Sequence, residues 1–316
     1  MTQYIFVAVG IAVLVFGGDI LVRGAVSLAE RLAIPPLVIG LTIVSFGTSA
    51  PELFISADAA LVGLGGLAVG NVVGSNIANI LLVLGLPALF MKTPCAGRAV
   101  DRNIMIMIGL TLVFMAMLYF DPLRWHDGII LLILLGLFLR EQYVTATSGG
   151  TSVLVEAEPE SDKLANAPDP VWKSTAFLIA GIALLPLGAH LTVLGAQEIA
   201  SNFGISDAVI GLTVVAIGTS LPELAASLMA VVRGNSSVAV GNVVGSNIFN
   251  IAAIMGLTTL ITDVSPGPEI IGFDMWVMLA VAIILALVAR FLKAISFWTG
   301  LGMVCLYVSY VAYSFM

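Results

Sequence analysis

Apolar runs long enough to cross a bilayer recur from one end of the chain to the other. They lie near 4–28, 35–60, 67–91, 103–120, 126–143, 172–199, 206–231, 238–262, 272–292 and 295–315. Each approaches or exceeds the length of about 20 residues that lets a helix span a hydrocarbon core about 30 Å thick. No water reaches a peptide N–H or C=O inside that core, so the runs must be helices that close their own backbone hydrogen bonds. The expectation is an all-α membrane protein with ten transmembrane helices, a multi-pass protein of a cell (inner) membrane. Composition agrees: 60% of the 316 residues are hydrophobic and only 10% are charged, too few to cover a water-soluble surface. The opening stretch MTQYIFVAVG has no basic leader region and no small-residue cleavage site, so it reads as a first membrane helix.

The long polar stretch is 144–171, rich in Ser, Gly, Pro, Glu and Ala, and reads as a flexible linker. It divides the chain into a first five-helix unit, 1–143, and a second, 172–316. Basic residues set the orientation, because cytoplasmic loops collect them. With the N-terminus outside, eleven of the twelve fall on the inner side and only Arg124 outside. That distribution puts the linker in the cytoplasm and both termini outside. A net charge of −7 without any basic cluster excludes nucleic acid as a partner. Cys95 and Cys305 are far apart in sequence and read as ordinary small apolar residues, not metal ligands. Asp19 and Arg23 are spaced to pair within the first helix, and a gating or pH-sensing role for Asp19 and its twin position His190 stays open.

The two units are copies. Shifted by 171 residues, 40–85 aligns with 211–256 without a gap, and 26 of 46 positions are identical. An odd number of crossings per unit inserts the copies in opposite directions, the inverted-repeat plan of secondary transporters, whose substrate site lies near mid-membrane where the repeats meet. The shared polar residues therefore matter most. In the second apolar run, Ser45, Ser49, Glu52 and Ser56 follow three-and-four spacing and form one polar stripe. Pro51 lacks an N–H and clashes with the carbonyl of Gly47, so the helix breaks and carbonyls near 45–48 lose partners. Gly218, Thr219, Ser220, Pro222 and Glu223 repeat the device. A carboxylate at mid-membrane is costly and marks function unless it merely props a kink, and two symmetric copies argue against the prop.

The third and eighth runs add Asn71, Ser75 and Asn79, and Asn242, Ser246 and Asn250, each set spaced four and four along one face. Asn76 and Asn247 fall off that face and read as glue between helices. For Asn71 and Asn242, glue and ligand roles both stay open. Every candidate ligand is an oxygen, which argues against zinc, copper or iron. Ca²⁺ accepts six to eight oxygens in flexible geometry, whereas Mg²⁺ usually keeps several waters. The two glutamates together neutralise one Ca²⁺ or two Na⁺, so the ions compete for one site.

The paired motifs GTSAPE…GNVVGSNIAN and GTSLPE…GNVVGSNIFN resemble the two alpha repeats of the sodium/calcium exchanger family, prokaryotic type, within the cation/calcium exchanger superfamily. The resemblance implies a ligand set: Thr48, Ser49, Glu52, Ser75 and Asn79, then Thr219, Ser220, Glu223, Ser246 and Asn250. It adds the backbone carbonyls of Ser45 and Ala216. It further implies alternating access, with the first and sixth helices sliding across the rest. Asn250 stands where the potassium-dependent branch has Asp, which weakens potassium co-transport. The implied function is Na⁺/Ca²⁺ antiport that exports Ca²⁺, with Ca²⁺/H⁺ antiport as the alternative and a cation channel behind both. No nucleophile–base pair or HExxH motif points to an enzyme. The expected partners are the transported Ca²⁺ and Na⁺ and the lipid bilayer, with no prosthetic group, and one chain carries both half-sites, so a monomer suffices.

Overall fold

The computed structural model describes residues 2–120, 122–147, 169–203, 216–267 and 269–314. Most of the linker reading (148–168) and the start of the seventh apolar run (206–215) lie outside them. Helices account for each of the ten runs over the described residues. In order they are α1 (Thr2–Leu32), α2 (Pro36–Thr48), α3 (Ala50–Leu61), α4 (Gly65–Ala88), α5 (Arg98–Phe120), α6 (Trp125–Thr147), α7 (Val171–Asn202), α8 (Ala216–Thr219), α9 (Leu221–Val232), α10 (Ser236–Ile261), α11 (Ile270–Leu292) and α12 (Phe297–Tyr313). Seven of them are long and apolar enough to cross a membrane, and the α2–α3 pair, bent by 45°, makes an eighth. The described helices α9 and α12 are shorter, at 12 and 17 residues.

Helix ends differ from the sequence reading by a few residues. The largest shift is at α5, which starts five residues before 103 at Arg98, and α6 runs four residues past 143 to Thr147. Nothing in Val144-Thr-Ala-Thr breaks a helix, and the Thr147 hydroxyl donates back to the Tyr143 carbonyl at 3.0 Å. Beyond the helices, the described residues hold a two-residue antiparallel pair, Thr93–Pro94 with Ala294–Ile295, and an isolated bridge between Leu123 and Val264. Shifting by 171 residues carries Thr93 to Val264 and Leu123 to Ala294. Corresponding loop segments therefore pair twice, one residue out of register, where sequence identity has faded.

The equivalent helices α1 and α7 pack against each other antiparallel. Gly10 faces Gly188 and Thr192, Gly17 faces Leu184 and Leu185, and Gly24 faces Ser174 and Leu178. A Cβ on Gly10 would sit 2.6 Å from the Thr192 nitrogen, and one on Gly188 would sit 2.9 Å from the Gly10 carbonyl oxygen. Only glycine lets two backbones approach this closely, and dispersion across the ridge holds the pair without any hydrophobic driving force from lipid. At Gly18, α1 also closes on the α9 backbone at Ala225.

An ion pair strengthens that second contact. Asp19 binds Arg23 at 3.1 Å within α1, as the spacing predicts, and it also accepts from Arg233 at the end of α9. The Arg233 contact joins residues 214 positions apart, so no local spacing announces it. His190, the twin of Asp19, is exposed on α7.

The two central helices, α4 and α10, form the packing centre. The most apolar stretch of α10 is entirely buried, and that of α4 is 72% buried. Valines and isoleucines of both helices, Val69, Val72, Val73 and Ile77 with Val240, Val243, Val244 and Ile248, fill one continuous core. The other helices surround this pair, and the outer faces of α6, α7 and α12 expose large apolar and aromatic side chains such as Ile133, Trp172 and Trp298. Such a surface suits hydrocarbon and interfacial contact rather than water.

Candidate cation-binding site

The break between α2 and α3 falls where Pro51 predicts it. Ser49 leaves helical geometry with φ −84° and ψ 5°, and α3 restarts at Ala50 with Pro51 in its first turn. In the second unit Ser220 takes nearly the same angles, φ −87° and ψ 3°, and Pro222 occupies the first turn of α9. Two separate stretches of chain thus make the same bend for the same reason. Each places a glutamate, Glu52 or Glu223, in the first turn after the break. The N-terminal end of the new helix favours negative charge there. The helix before the break ends in carbonyl groups, which suits a cation beside the carboxylate.

A wide π-turn follows each asparagine at the far end of the second motif, over Asn79–Val83 in α4 and Asn250–Met255 in α10. Such single-turn widenings cluster at functional sites. They interrupt the regular helical bonding beside Asn79 and Asn250.

The side chains of Ser45, Thr48, Ser49, Glu52, Ser75, Asn79, Thr219, Ser220, Glu223, Ser246 and Asn250 are buried. Ala216 opens the short helix α8. Hydrogen bonds tie the two half-sites together across the molecule. The Ser49 hydroxyl donates to Glu223 Oε1 at 3.1 Å, and the Thr48 hydroxyl donates to Asn242 Oδ1 at 3.2 Å. The Ser45 hydroxyl donates to the Gly40 carbonyl at 2.6 Å and lies 2.9 Å from that of Asn242, while its own carbonyl accepts from the Ser49 N–H at 3.0 Å.

Asn71 and Asn242, left open by the sequence, do structural work here. Asn71 Nδ2 donates to the backbone carbonyl of Glu52 at 3.3 Å and to the Ser56 hydroxyl at 2.9 Å. Asn242 Nδ2 makes the matching bonds to the Glu223 carbonyl at 3.4 Å and the Ser227 hydroxyl at 3.1 Å. Each asparagine therefore clamps the broken helix of its own unit just below the carboxylate. Asn76 and Asn247 bond each other across α4 and α10, in keeping with the glue reading.

The decisive observation concerns what remains unpartnered. Among the described residues, nine buried side-chain nitrogen or oxygen atoms lack a hydrogen-bond partner in the protein. Six are oxygens of the expected ligand set: Glu52 Oε2, Asn79 Oδ1, Ser220 Oγ, Glu223 Oε2, Ser246 Oγ and Asn250 Oδ1. Buried polar atoms are almost always satisfied, and each exception calls for an explanation. Neither glutamate has a basic partner among the described residues, so no positive side chain there offsets the two buried carboxylates. Leaving one carboxylate bare in such surroundings costs several kcal/mol. A cation ligated by oxygens removes both deficits at once. The donor set, two carboxylates with hydroxyls and amide carbonyls, fits Ca²⁺ or Na⁺. Among the described residues no group of three or more His, Cys, Asp or Glu stands together as a transition-metal site would.

Sequence reasoning missed the cross-unit partners: Asn247 for Asn79, Asn76 for Asn250, and Arg233 for Asp19. One signal was available for the asparagines. Asn76 and Asn247 match at the 171-residue offset despite lying off the polar stripe, which helix glue alone does not demand.

Known proteins give the same picture. The family model described as sodium/calcium exchanger protein matches residues 2–144 and 173–316. The putative antiporter CaxA of Alkalimonas amylolytica is 42% identical over 287 residues, 90% of this chain and 89% of that protein. The inner membrane protein YrbG of Escherichia coli K12 is 41% identical, covering 88% and 86%. A solved structure of the sodium-calcium exchanger NCX_Mj, soaked with 2.5 mM Na⁺ and 0.1 mM Ca²⁺, superposes with a TM-score of 0.83 at 33% identity, covering 99% of this chain and 98% of that one. With membrane-type helices throughout, a doubled motif and a buried all-oxygen site, this multi-pass membrane protein belongs to the sodium/calcium exchanger family.

Proposed function

We propose that the chain is a secondary active antiporter that exchanges Na⁺ for Ca²⁺ through one site used alternately from either side of the membrane. The observation that carries this reading is the set of six unpartnered buried oxygens, two of them on the Glu52 and Glu223 carboxylates, which have no basic neighbour among the described residues. Two formal negative charges neutralise one Ca²⁺ or two Na⁺. The charge-compensated site then crosses a low-dielectric barrier far more readily than the empty doubly negative one. That difference makes exchange obligatory. The ligands are Thr48, Ser49, Glu52, Ser75, Asn79, Thr219, Ser220, Glu223, Ser246 and Asn250, with the backbone carbonyls of Ser45 and Ala216.

Architecture belongs to the same reading. Ten crossings form two inverted five-helix repeats, 1–143 and 172–316, joined by a cytoplasmic linker, with both termini outside. The antiparallel packing of the twin helices α1 and α7 supports the inversion. In a cell with an inward Na⁺ gradient, such a protein exports Ca²⁺.

Competition tests the shared site. With purified protein, calorimetric titration of Ca²⁺ is expected to give a weaker apparent affinity at each increase in Na⁺. The weakening follows the square of the Na⁺ concentration when two Na⁺ replace one Ca²⁺. A Ca²⁺ affinity that stays constant as Na⁺ rises would remove the shared site.

A further inference from the structure

Asn76 and Asn247 stand outside the ligand set, yet both ligand asparagines are held by them. Asn76 Nδ2 donates to the backbone carbonyl of Asn247 at 3.3 Å, and Asn247 Nδ2 donates to the backbone carbonyl of Asn76 at 3.2 Å. A backbone carbonyl only accepts, so each amide must turn its NH₂ toward it. This choice fixes where each Oδ1 points. Asn76 Oδ1 accepts from Asn250 Nδ2 at 3.0 Å, and Asn247 Oδ1 accepts from Asn79 Nδ2 at 3.1 Å. An amide oxygen also only accepts, so Asn250 and Asn79 must present their NH₂ groups to it. Their own oxygens then face the other way, and both are among the buried oxygens without a partner in the protein.

The orientation of each ligand amide is thus set by a relay that starts at a backbone carbonyl of its own unit and passes through an asparagine of the other, from the Asn247 carbonyl through Asn76 to Asn250 and from the Asn76 carbonyl through Asn247 to Asn79. Without the relay, an asparagine amide turns over at almost no steric cost, because its oxygen and nitrogen are nearly the same size. Turned over, Asn79 or Asn250 would present NH₂ to a cation and repel it. We infer that Asn76 and Asn247 are positioning residues that hold the Asn250 and Asn79 oxygens toward the bound cation, each acting on the other unit's ligand, and so set cation affinity. The inference rests on the reading that these oxygens face a transported cation. Helix glue alone would make both residues matter for stability without linking either to one particular ligand. The crossed linkage is the distinguishing feature.

A double-mutant analysis reads it directly. Na⁺-loaded proteoliposomes are assayed for ⁴⁵Ca²⁺ uptake with wild type, Asn76→Ala, Asn250→Ala, Asn79→Ala, and the pairs Asn76→Ala/Asn250→Ala and Asn76→Ala/Asn79→Ala. Removing a residue that orients a metal ligand costs roughly ten- to a hundredfold in metal affinity, so Asn76→Ala is expected to raise the Ca²⁺ KM by that factor. Added to Asn250→Ala, it should raise KM no further; added to Asn79→Ala, it should multiply the effect. An unchanged KM with only a lowered melting temperature would overturn the inference, as would an equal factor on both backgrounds. Asn76→Leu fills the same space without hydrogen bonds and serves if alanine leaves a cavity that prevents folding. The reciprocal set, Asn247 with Asn79, must give the mirrored pattern. Wild-type vesicles without Na⁺-driven uptake would count against the exchange reading instead. The relay is then read from the rise in melting temperature that Ca²⁺ produces in the same variants, and a rise unaffected by Asn76→Ala overturns it.

Discussion

Glu52→Gln or Glu223→Gln is expected to abolish Ca²⁺ transport while leaving the protein folded. Each glutamate supplies one of two charges at the site, and each is buried with one carboxylate oxygen unpartnered. Glutamine keeps the shape and removes the charge, so the site retains half the charge needed to neutralise a divalent ion. Removing one member of a buried charge pair costs about 3–5 kcal/mol. At about 1.4 kcal/mol per decade, that is roughly a hundredfold to several thousandfold in Ca²⁺ affinity. The ion-free protein responds in the opposite sense. It loses an uncompensated buried charge, so its melting temperature without Ca²⁺ should hold or rise. Uptake by proteoliposomes and a thermal melt of the same preparation check both halves, and near-normal exchange in either variant would contradict the shared site.

Gly245→Val should instead destroy the fold. A Cβ at position 245 would lie 2.2 Å from the Ser45 hydroxyl oxygen and 2.6 Å from the Leu41 carbonyl oxygen, so it meets the backbone of α2 directly. Neighbouring positions repeat the closeness: a Cβ on Gly40 would lie 2.7 Å from the Val238 carbonyl oxygen, and one on Gly241 would lie 2.7 Å from that of Leu37. The crossing of α2 and α10 is therefore a backbone-to-backbone seam that cannot yield by a side-chain rotation. Overpacking of cores typically costs about 1–3 kcal/mol, and a seam of main chain lies at or beyond the upper end. The expected result is loss of the monodisperse peak in detergent, or a melting temperature far below wild type. Gly109→Ala is the control, since Gly109 is exposed on α5 with no neighbour near its would-be Cβ. It should be neutral or slightly stabilising, because alanine is the better helix former. Equal melting temperatures for Gly245→Val and wild type would show that α2 and α10 do not cross this closely.

These two variants separate what the sequence exposes from what it hides. The bend at Ser49 was legible because Pro51 acts on its own helix, through a missing N–H and a local clash. The polar stripe through Ser45, Ser49, Glu52 and Ser56 was legible because helical spacing is local, and doubling at 171 residues marked it as more than chance. Glu52 and Glu223 stood out for the cost of a charge in hydrocarbon. The partners across the units were not legible in the same way. Asn76 and Asn247 sit off the stripe, and their roles depend on how α4 and α10 face each other. Arg233 meets Asp19 only because α1 packs on α9. Spacing within one helix carries no information about such docking. Asn71 and Asn242 were ambiguous for a related reason, since an asparagine on a polar face serves equally as ligand or clamp until its hydrogen bonds are seen.

The seam, the bends and the amide relay converge on one arrangement, a buried oxygen-lined region around two carboxylates. Whether that site couples Na⁺ to Ca²⁺ is tested most directly by ⁴⁵Ca²⁺ uptake into proteoliposomes with Na⁺, K⁺ and H⁺ gradients imposed one at a time. Na⁺/Ca²⁺ exchange predicts accumulation when Na⁺ is loaded inside and absent outside, and none on a K⁺ or pH gradient alone. Accumulation driven by a pH gradient without Na⁺, or Ca²⁺ flux that proceeds with no counter-ion at all, would contradict it.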